Sequence, residues 1–116
     1  MDLTAIQQRL AQFAAVRDWE QFHSPKNLAA ALAVEAAELL EIFQWMTEEE
    51  SRQLRSGDTA LQKVRFELAD VQLYLLRLAD QLDVDLEQAI NEKMIINEAK
   101  YPVAKSKGRS TKYTDF

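Results

Sequence analysis

The sequence predicts an all-α protein: a four-helix, bundle-like protomer whose second and third helices also enter an oligomeric helical core. Three observations lead there. The 116 residues include only two glycines and two prolines, 47% are hydrophobic, and the composition leans on Ala, Leu, Glu and Gln, which suit helices. Apolar residues recur at three- and four-residue steps, the period of a helix face. One segment, finally, is apolar on more than one face, which four short helices do not easily cover.

The first helix is predicted from about Leu3 to Arg17, with Leu3, Ile6, Leu10, Phe13 and Val16 on its apolar face. The segment Trp19 to Lys26 then crowds two aromatics and the only histidine, and Ser24-Pro25 reads as an N-cap followed by proline at the first helical position. A second helix starts there and runs to about Met46. Thr47 caps a short acidic turn, Glu48 to Glu50, before the Ser56-Gly57-Asp58-Thr59 loop. The third helix spans about Ala60 to Leu82, with Leu61, Val64, Leu68, Val71, Leu75, Leu78 and Leu82 in one stripe and Phe66, Leu73 and Leu76 on other faces. So much apolar surface implies self-association through the second and third helices; the alternative is a bundle with some exposed leucines. Asp83 to Asp85 starts a fourth helix that stops before Pro102, and an extended basic tail follows. The expected organisation is one domain, 1–102, and a tail, 103–116.

A chain of this length has no room for a second domain. The absence of cysteine excludes disulfide scaffolds, thiolate metal sites and a cysteine nucleophile, and fits a reducing compartment. With no signal-like start and no apolar run near the ~18 residues of a membrane span, a cytoplasmic protein is expected, with no membrane partner. Residues 1–100 hold 10 basic and 18 acidic side chains, whereas residues 101–116 hold 4 and 1. An acidic body argues against a nucleic-acid polymer as partner, because that affinity rests on Lys and Arg neutralising phosphates.

On the second helix Leu28, Leu32, Glu35, Leu39 and Ile42 follow a 4-3-4-3 spacing, which puts Glu35 in the middle of the face that should be core. Glu38, three residues on and roughly 60° around the helix, can converge with it. Glu67 and Asp70 repeat the spacing on the third helix, on a ridge continued by Tyr74. Unpaired buried anions cost several kcal/mol, so something positive belongs between the two pairs. Lys26 stands only at the start of the second helix, and Lys63 and Arg65 lie on or before the first turn of the acidic ridge on the third. Four oxygen ligands without Cys or a His pair select a hard divalent ion, Mg²⁺ or Mn²⁺, over Zn²⁺. Glu41, about 120° from Glu35, falls outside the set. Solvated acids on an exposed face are the bland alternative.

The order of these blocks carries a resemblance. Ser24-Pro25-Lys26-Asn27-Leu28, then Glu35-x-x-Glu38-Leu39-x-Glu41-x-Phe43-Gln44-Trp45, then Glu67-Leu68-x-Asp70-Val71-x-x-Tyr74-Leu75, then Lys93-Met94-x-x-Asn97-x-x-Lys100-Tyr101-Pro102 resembles the MazG-like nucleotide pyrophosphohydrolases. Within them it is most similar to the dCTP pyrophosphatase-like branch. The resemblance extends over nearly the whole chain. It implies an all-α, Mg²⁺-dependent enzyme that hydrolyses nucleoside triphosphates to the monophosphate and pyrophosphate, with Glu35, Glu38, Glu67 and Asp70 as metal ligands. It also implies a homodimer or, as a dimer of dimers, a homotetramer.

A triphosphate and a carboxylate cluster can meet only through cations, and metal-activated water would then attack the α-phosphorus. Glu35 and Glu38 are the catalytic candidates, Glu38 by preference orienting or deprotonating the water. Trp19, His23 and Trp45 are candidates for stacking on the base, with simple packing as the alternative, stronger for Phe22. The resemblance extends the pocket to Lys26 and Asn27, and brings Tyr74 against the deoxyribose. Lys93, Asn97 and Tyr101 recur every four residues and suit phosphate oxygens, unless Lys93 is simply solvated. The tail either closes over the triphosphate or merely solubilises. Two other functions compete: a noncatalytic helical module that binds a cation, and a di-iron carboxylate bundle, for which Glu20-x-x-His23 supplies the motif although Pro25 puts that histidine at a helix boundary.

Overall fold

Four of the six helices begin where the sequence offers a side-chain acceptor to free backbone N–H groups. In the computed structural model, which describes residues 1–116, the helices are α1 (Leu3–Val16), α2 (Pro25–Phe43), α3 (Glu48–Arg52), α4 (Thr59–Gln81), α5 (Leu86–Lys100) and α6 (Val103–Ser106). Two 3-10 turns, Glu20–Phe22 and Tyr113–Asp115, complete the chain, and there are no strands. The second, third and fourth helices expected from the sequence are α2, α4 and α5. Asp2 and Asp85 accept from Ala5 and Gln88 N–H groups at 3.0 Å each, and Ser24 Oγ accepts from Asn27 N–H at 3.2 Å with Pro25 behind it. The acidic turn at Glu48 is a true short helix closed by a capping box: Glu50 N–H donates to Thr47 Oγ1 at 3.1 Å, and Thr47 N–H to Glu50 Oε1 at 3.3 Å. α2 therefore stops at Phe43, earlier than expected, because Thr47 must be extended to cap α3.

The end of α1 decides where the following aromatics go. Asp18 adopts φ 55°, Asp18 N–H bonds Ala15 O and Trp19 N–H bonds Ala14 O, the paired hydrogen bonds of a Schellman turn. The chain reverses there, and the Trp19 ring returns edge-on to Phe13 at 5.7 Å.

Two compact units result, Met1–Asp83 and Val84–Phe116. In the first, α4 packs along α2 and also against α1. Its core is small: Ala14, Leu28, Val64, Leu76 and Ala79 are the buried apolar residues. The α2 stripe behaves as read, with Leu28 buried and Leu32, Leu39 and Ile42 half-buried. The α4 stripe needs correcting. Leu68 and Leu82 are more than half exposed, whereas Leu76, assigned to another face, is fully buried. With α1 and α2 covering two sides of α4, the buried line drifts away from a single leucine row. Val34, Leu40, Phe66, Leu68 and Leu73 remain exposed.

In the second unit the residues after Pro102 are folded, which corrects the extended tail. α6 follows at once, Ser106 Oγ donates to the Tyr101 and Pro102 carbonyls, and the rings of Tyr113 and Phe116 pack edge-on against Tyr101 at 5.8 and 5.7 Å. Lys100 Nζ stands 4.7 Å over the Tyr113 ring. Aromatic packing on one tyrosine overrides the basic, polar character from which an extended segment was expected. No helix is long and apolar enough to cross a membrane.

Candidate active site

The α2–α4 pairing brings the two acidic ridges together. One carboxylate oxygen each from Glu35, Glu38 and Glu67 can be chosen so that all lie within 4.8 Å of one another. Burial raises the Glu35 pKa to about 7, helped by the nearby carboxyls of Glu38 and Glu67 and by the charges of Glu38 and Asp70. Oε2 of Glu35 and Oε2 of Glu67 are buried without any hydrogen-bond partner. Orphaned acceptors of this kind call for a proton or a cation. The donor set, all carboxylate oxygen, suits a hard divalent ion, so these residues can hold a metal.

Asp70 falls outside the three-carboxylate group, although its charge is felt at Glu35. Beside the cluster opens a cavity of about 710 Å³ lined by Glu38, Glu41, Thr59, Lys63, Phe66 and Glu67, among others. Glu41 thus shares the cavity without joining the group. Lys63, one turn before Glu67, is the cation that the sequence reading set aside, and it makes no ion pair with the cluster.

A second cavity, about 160 Å³, is lined by Leu10, Phe13, Trp19, His23, Asp70, Leu73, Tyr74 and Arg77. Trp19, His23 and Tyr74 come together here, with Asp70 as the residue common to the pocket and the acidic ridge. Trp19 and His23 stand edge to face at 6.3 Å. Asn27 braces the turn that presents them: its Nδ2 donates to the Phe22 carbonyl at 3.0 Å. Lys26 is exposed on the first turn of α2, and Phe22 is exposed instead of packed. Trp45 lies in the turn after α2, 89% exposed, and lines neither cavity.

Lys93 and Asn97 are exposed on α5, and Tyr101 is the residue that caps it, with φ −121° and its ring engaged by Tyr113 and Phe116. The three therefore do not form one continuous helical row. Glu20 and His23 belong to a 3-10 turn and its cap, and His23 Nδ1 accepts from the Arg77 guanidinium at 3.2 Å, so the histidine of the di-iron reading is otherwise engaged. Arg77 is the residue that the sequence reading missed. Its signal was a lone charge in Leu75-Leu76-Arg77-Leu78, at i+7 from Asp70 on the ridge through Tyr74.

The α2 and α4 helices bring Glu35, Glu38 and Glu67 to one acidic centre, with Asp70 one turn on, the arrangement of a helical carboxylate metal site, and a MazG-like family profile matches residues 30–116. The chain belongs to the MazG-like family. It is similar to dCTP pyrophosphatase 1 of Bos taurus, 45% identical over 98% of this chain and 68% of that one, and to dCTP pyrophosphatase 1 of Homo sapiens, 43% identical over 98% and 67%. Among solved structures it resembles a pyrophosphatase from Archaeoglobus fulgidus, with a TM-score of 0.77 and 37% identity over 88% of this chain and 94% of that one.

Proposed function

We propose that the chain is a Mg²⁺-dependent nucleoside triphosphate pyrophosphohydrolase that prefers dCTP, releasing dCMP and pyrophosphate. The observation that carries the reading is the set of three converging carboxylates with two orphaned buried oxygens, next to an aromatic pocket sized for one ring. Cavities of ~150 Å³ take up a benzene-sized molecule, so a pocket of about 160 Å³ favours a pyrimidine over a purine. The relatives named for dCTP, alike over nearly the whole chain, support the same base.

Glu35, Glu38, Glu67 and Asp70 would hold the Mg²⁺, for which Mn²⁺ can substitute. When bound, such an ion would offset the triphosphate charge and lower the pKa of water enough to supply hydroxide for attack at the α-phosphorus near neutral pH. Glu38, the exposed member of the group, orients or deprotonates that water. Trp19 and His23 hold the base and Tyr74 limits the sugar; Lys26, Trp45, Lys93, Asn97 and Tyr101, which line neither cavity, are assigned to the nucleotide by the family resemblance alone. The exposed apolar side chains of α2 and α4 form a homodimer or homotetramer interface, and the cytosol is the place of work.

Incubation with dCTP and Mg²⁺ tests this, with both products quantified. Equal dCMP and pyrophosphate, lost on chelation and restored by Mg²⁺, is the expected result. Release of dCDP and phosphate would move the attack to another phosphorus, and no turnover of any nucleotide would favour the noncatalytic cation-binding module.

A further inference from the structure

The aromatic pocket contains a buried cation for which the carboxylate chemistry has no use. Arg77 is 6% exposed, and its Nε donates to Nδ1 of His23 at 3.2 Å. It is held on its other side as well. Nη1 lies 3.5 Å from Asp80 Oδ2, and the Gln81 amide, turned so that both of its ends are satisfied, accepts from Nη1 and Nη2 at 3.3 and 2.7 Å. A guanidinium only donates and does not lose its proton. The His23 nitrogen facing it must therefore offer a lone pair, which leaves the proton of the neutral ring on Nε2. That nitrogen makes no hydrogen bond within the chain. Burial and the Arg77 charge both push the His23 pKa below its ordinary value, so the ring is neutral at pH 7.

We propose that Arg77 is a specificity-determining positioning residue: it locks His23 in the Nε2–H form, so that the pocket offers the base a fixed donor, matched to the lone pair on cytosine N3 and opposed to the N3–H of uracil or thymine. The proposal rests on the reading of this cavity as the base pocket. An unrestrained imidazole exchanges its tautomers readily and would turn an acceptor toward uracil as easily as a donor toward cytosine. With the guanidinium in place that exchange leaves two donors facing each other in a buried site, which is how a hydrogen-bonding pocket rejects the wrong partner. The lock thus supplies what stacking cannot, since every base has a face that stacks.

His23 is the only histidine in the chain, so a two-bond ¹H–¹⁵N spectrum of the intact protein above pH 7 reads its tautomer directly. The Nε2–H pattern is expected in the wild type and a mixture in Arg77→Met. Specificity constants for dCTP and dUTP, which lack a 5-methyl group alike, then measure the consequence. Arg77→Met should lower the dCTP-over-dUTP ratio by roughly tenfold or more, with the KM for dUTP falling. Arg77→Lys, which also donates without accepting, should recover part of the ratio. Damage to packing alone would lower both nucleotides together and leave the ratio in place. Should Arg77→Met fail to fold, Arg77→Lys and His23→Gln, whose amide can present either edge, carry the comparison. An Nδ1–H tautomer in the wild type, or an unchanged ratio in the folded variants, overturns the proposal. A wild-type chain that hydrolyses no nucleotide overturns the proposed function and base discrimination with it, and the spectrum then decides on the tautomer lock by itself.

Discussion

Glu35 of α2 and Glu67 of α4 bring carboxylate oxygens within 4.8 Å of each other, and each leaves its Oε2 buried without a hydrogen-bond partner. Two acids in this relation cannot both ionise comfortably without a cation between them.

Removing charge from the cluster should separate activity from stability. Glu35→Gln, Glu38→Gln and Asp70→Asn are each expected to lower kcat by ~100-fold or more while the chain stays folded, and Glu35→Gln should melt higher than the wild type without metal. Turnover at saturating Mg²⁺ and thermal melting in chelator check both halves. Near-wild-type turnover in Asp70→Asn would confine the metal site to the three glutamates.

The pH dependence of the metal-free protein follows from Glu35. Its folded pKa of about 7 lies above the 4.5 of an ordinary glutamate, so the folded state holds a proton that the unfolded chain gives up. The stabilisation from that proton is complete below pH 4.5 and is lost as the pH rises through 7. Melting temperature in chelator should fall over that window by several degrees, and Glu35→Gln should flatten the fall. With Mg²⁺ the slope should shrink or reverse, because metal binding takes the ionised form. A flat profile in chelator would mean that Glu35 titrates normally.

Tyr74 lines the pocket with Asp70, four residues before it on α4. A ring held against the sugar excludes a 2′-hydroxyl by contact, whereas base identity depends on edge hydrogen bonds elsewhere. Tyr74→Ala should therefore lower the preference for dCTP over CTP more than that for dCTP over dATP. Specificity constants for the three nucleotides measure this, and a constant dCTP/CTP ratio would remove Tyr74 from the sugar.

Assembly is the fourth expectation. Light scattering at micromolar concentration should return at least twice the 13.3 kDa of one chain, with a four-subunit particle expected. Leu68, more than half exposed in the protomer, is a probe of the interface. Leu68→Glu should lower the mass or raise the concentration needed for assembly, since it places a charge among exposed apolar side chains. A 13 kDa wild-type particle would refute the interface.

Periodicity and capping chemistry made the helices legible before any coordinates. Ser24-Pro25, Thr47 and Asp85 state where helices begin because the acceptor and the N–H it satisfies lie within three residues of each other. Glu35 was legible for the same local reason: the 4-3-4-3 row shows a charge on a core face without reference to any other helix. The sequence by itself therefore determined the helical class, the starts of α2 and α5, and the acidic residues that face inward from each ridge. Tertiary structure alone decided which of those acids converge, that Leu76 and not Leu68 is core, and that Tyr113 and Phe116 fold back on Tyr101. It alone also paired Arg77 with His23, 54 residues away. Such pairings depend on how helices cross and where loops reverse. A periodic pattern gives the direction in which a side chain points from its own helix axis, and it holds no information about what another helix brings to meet it.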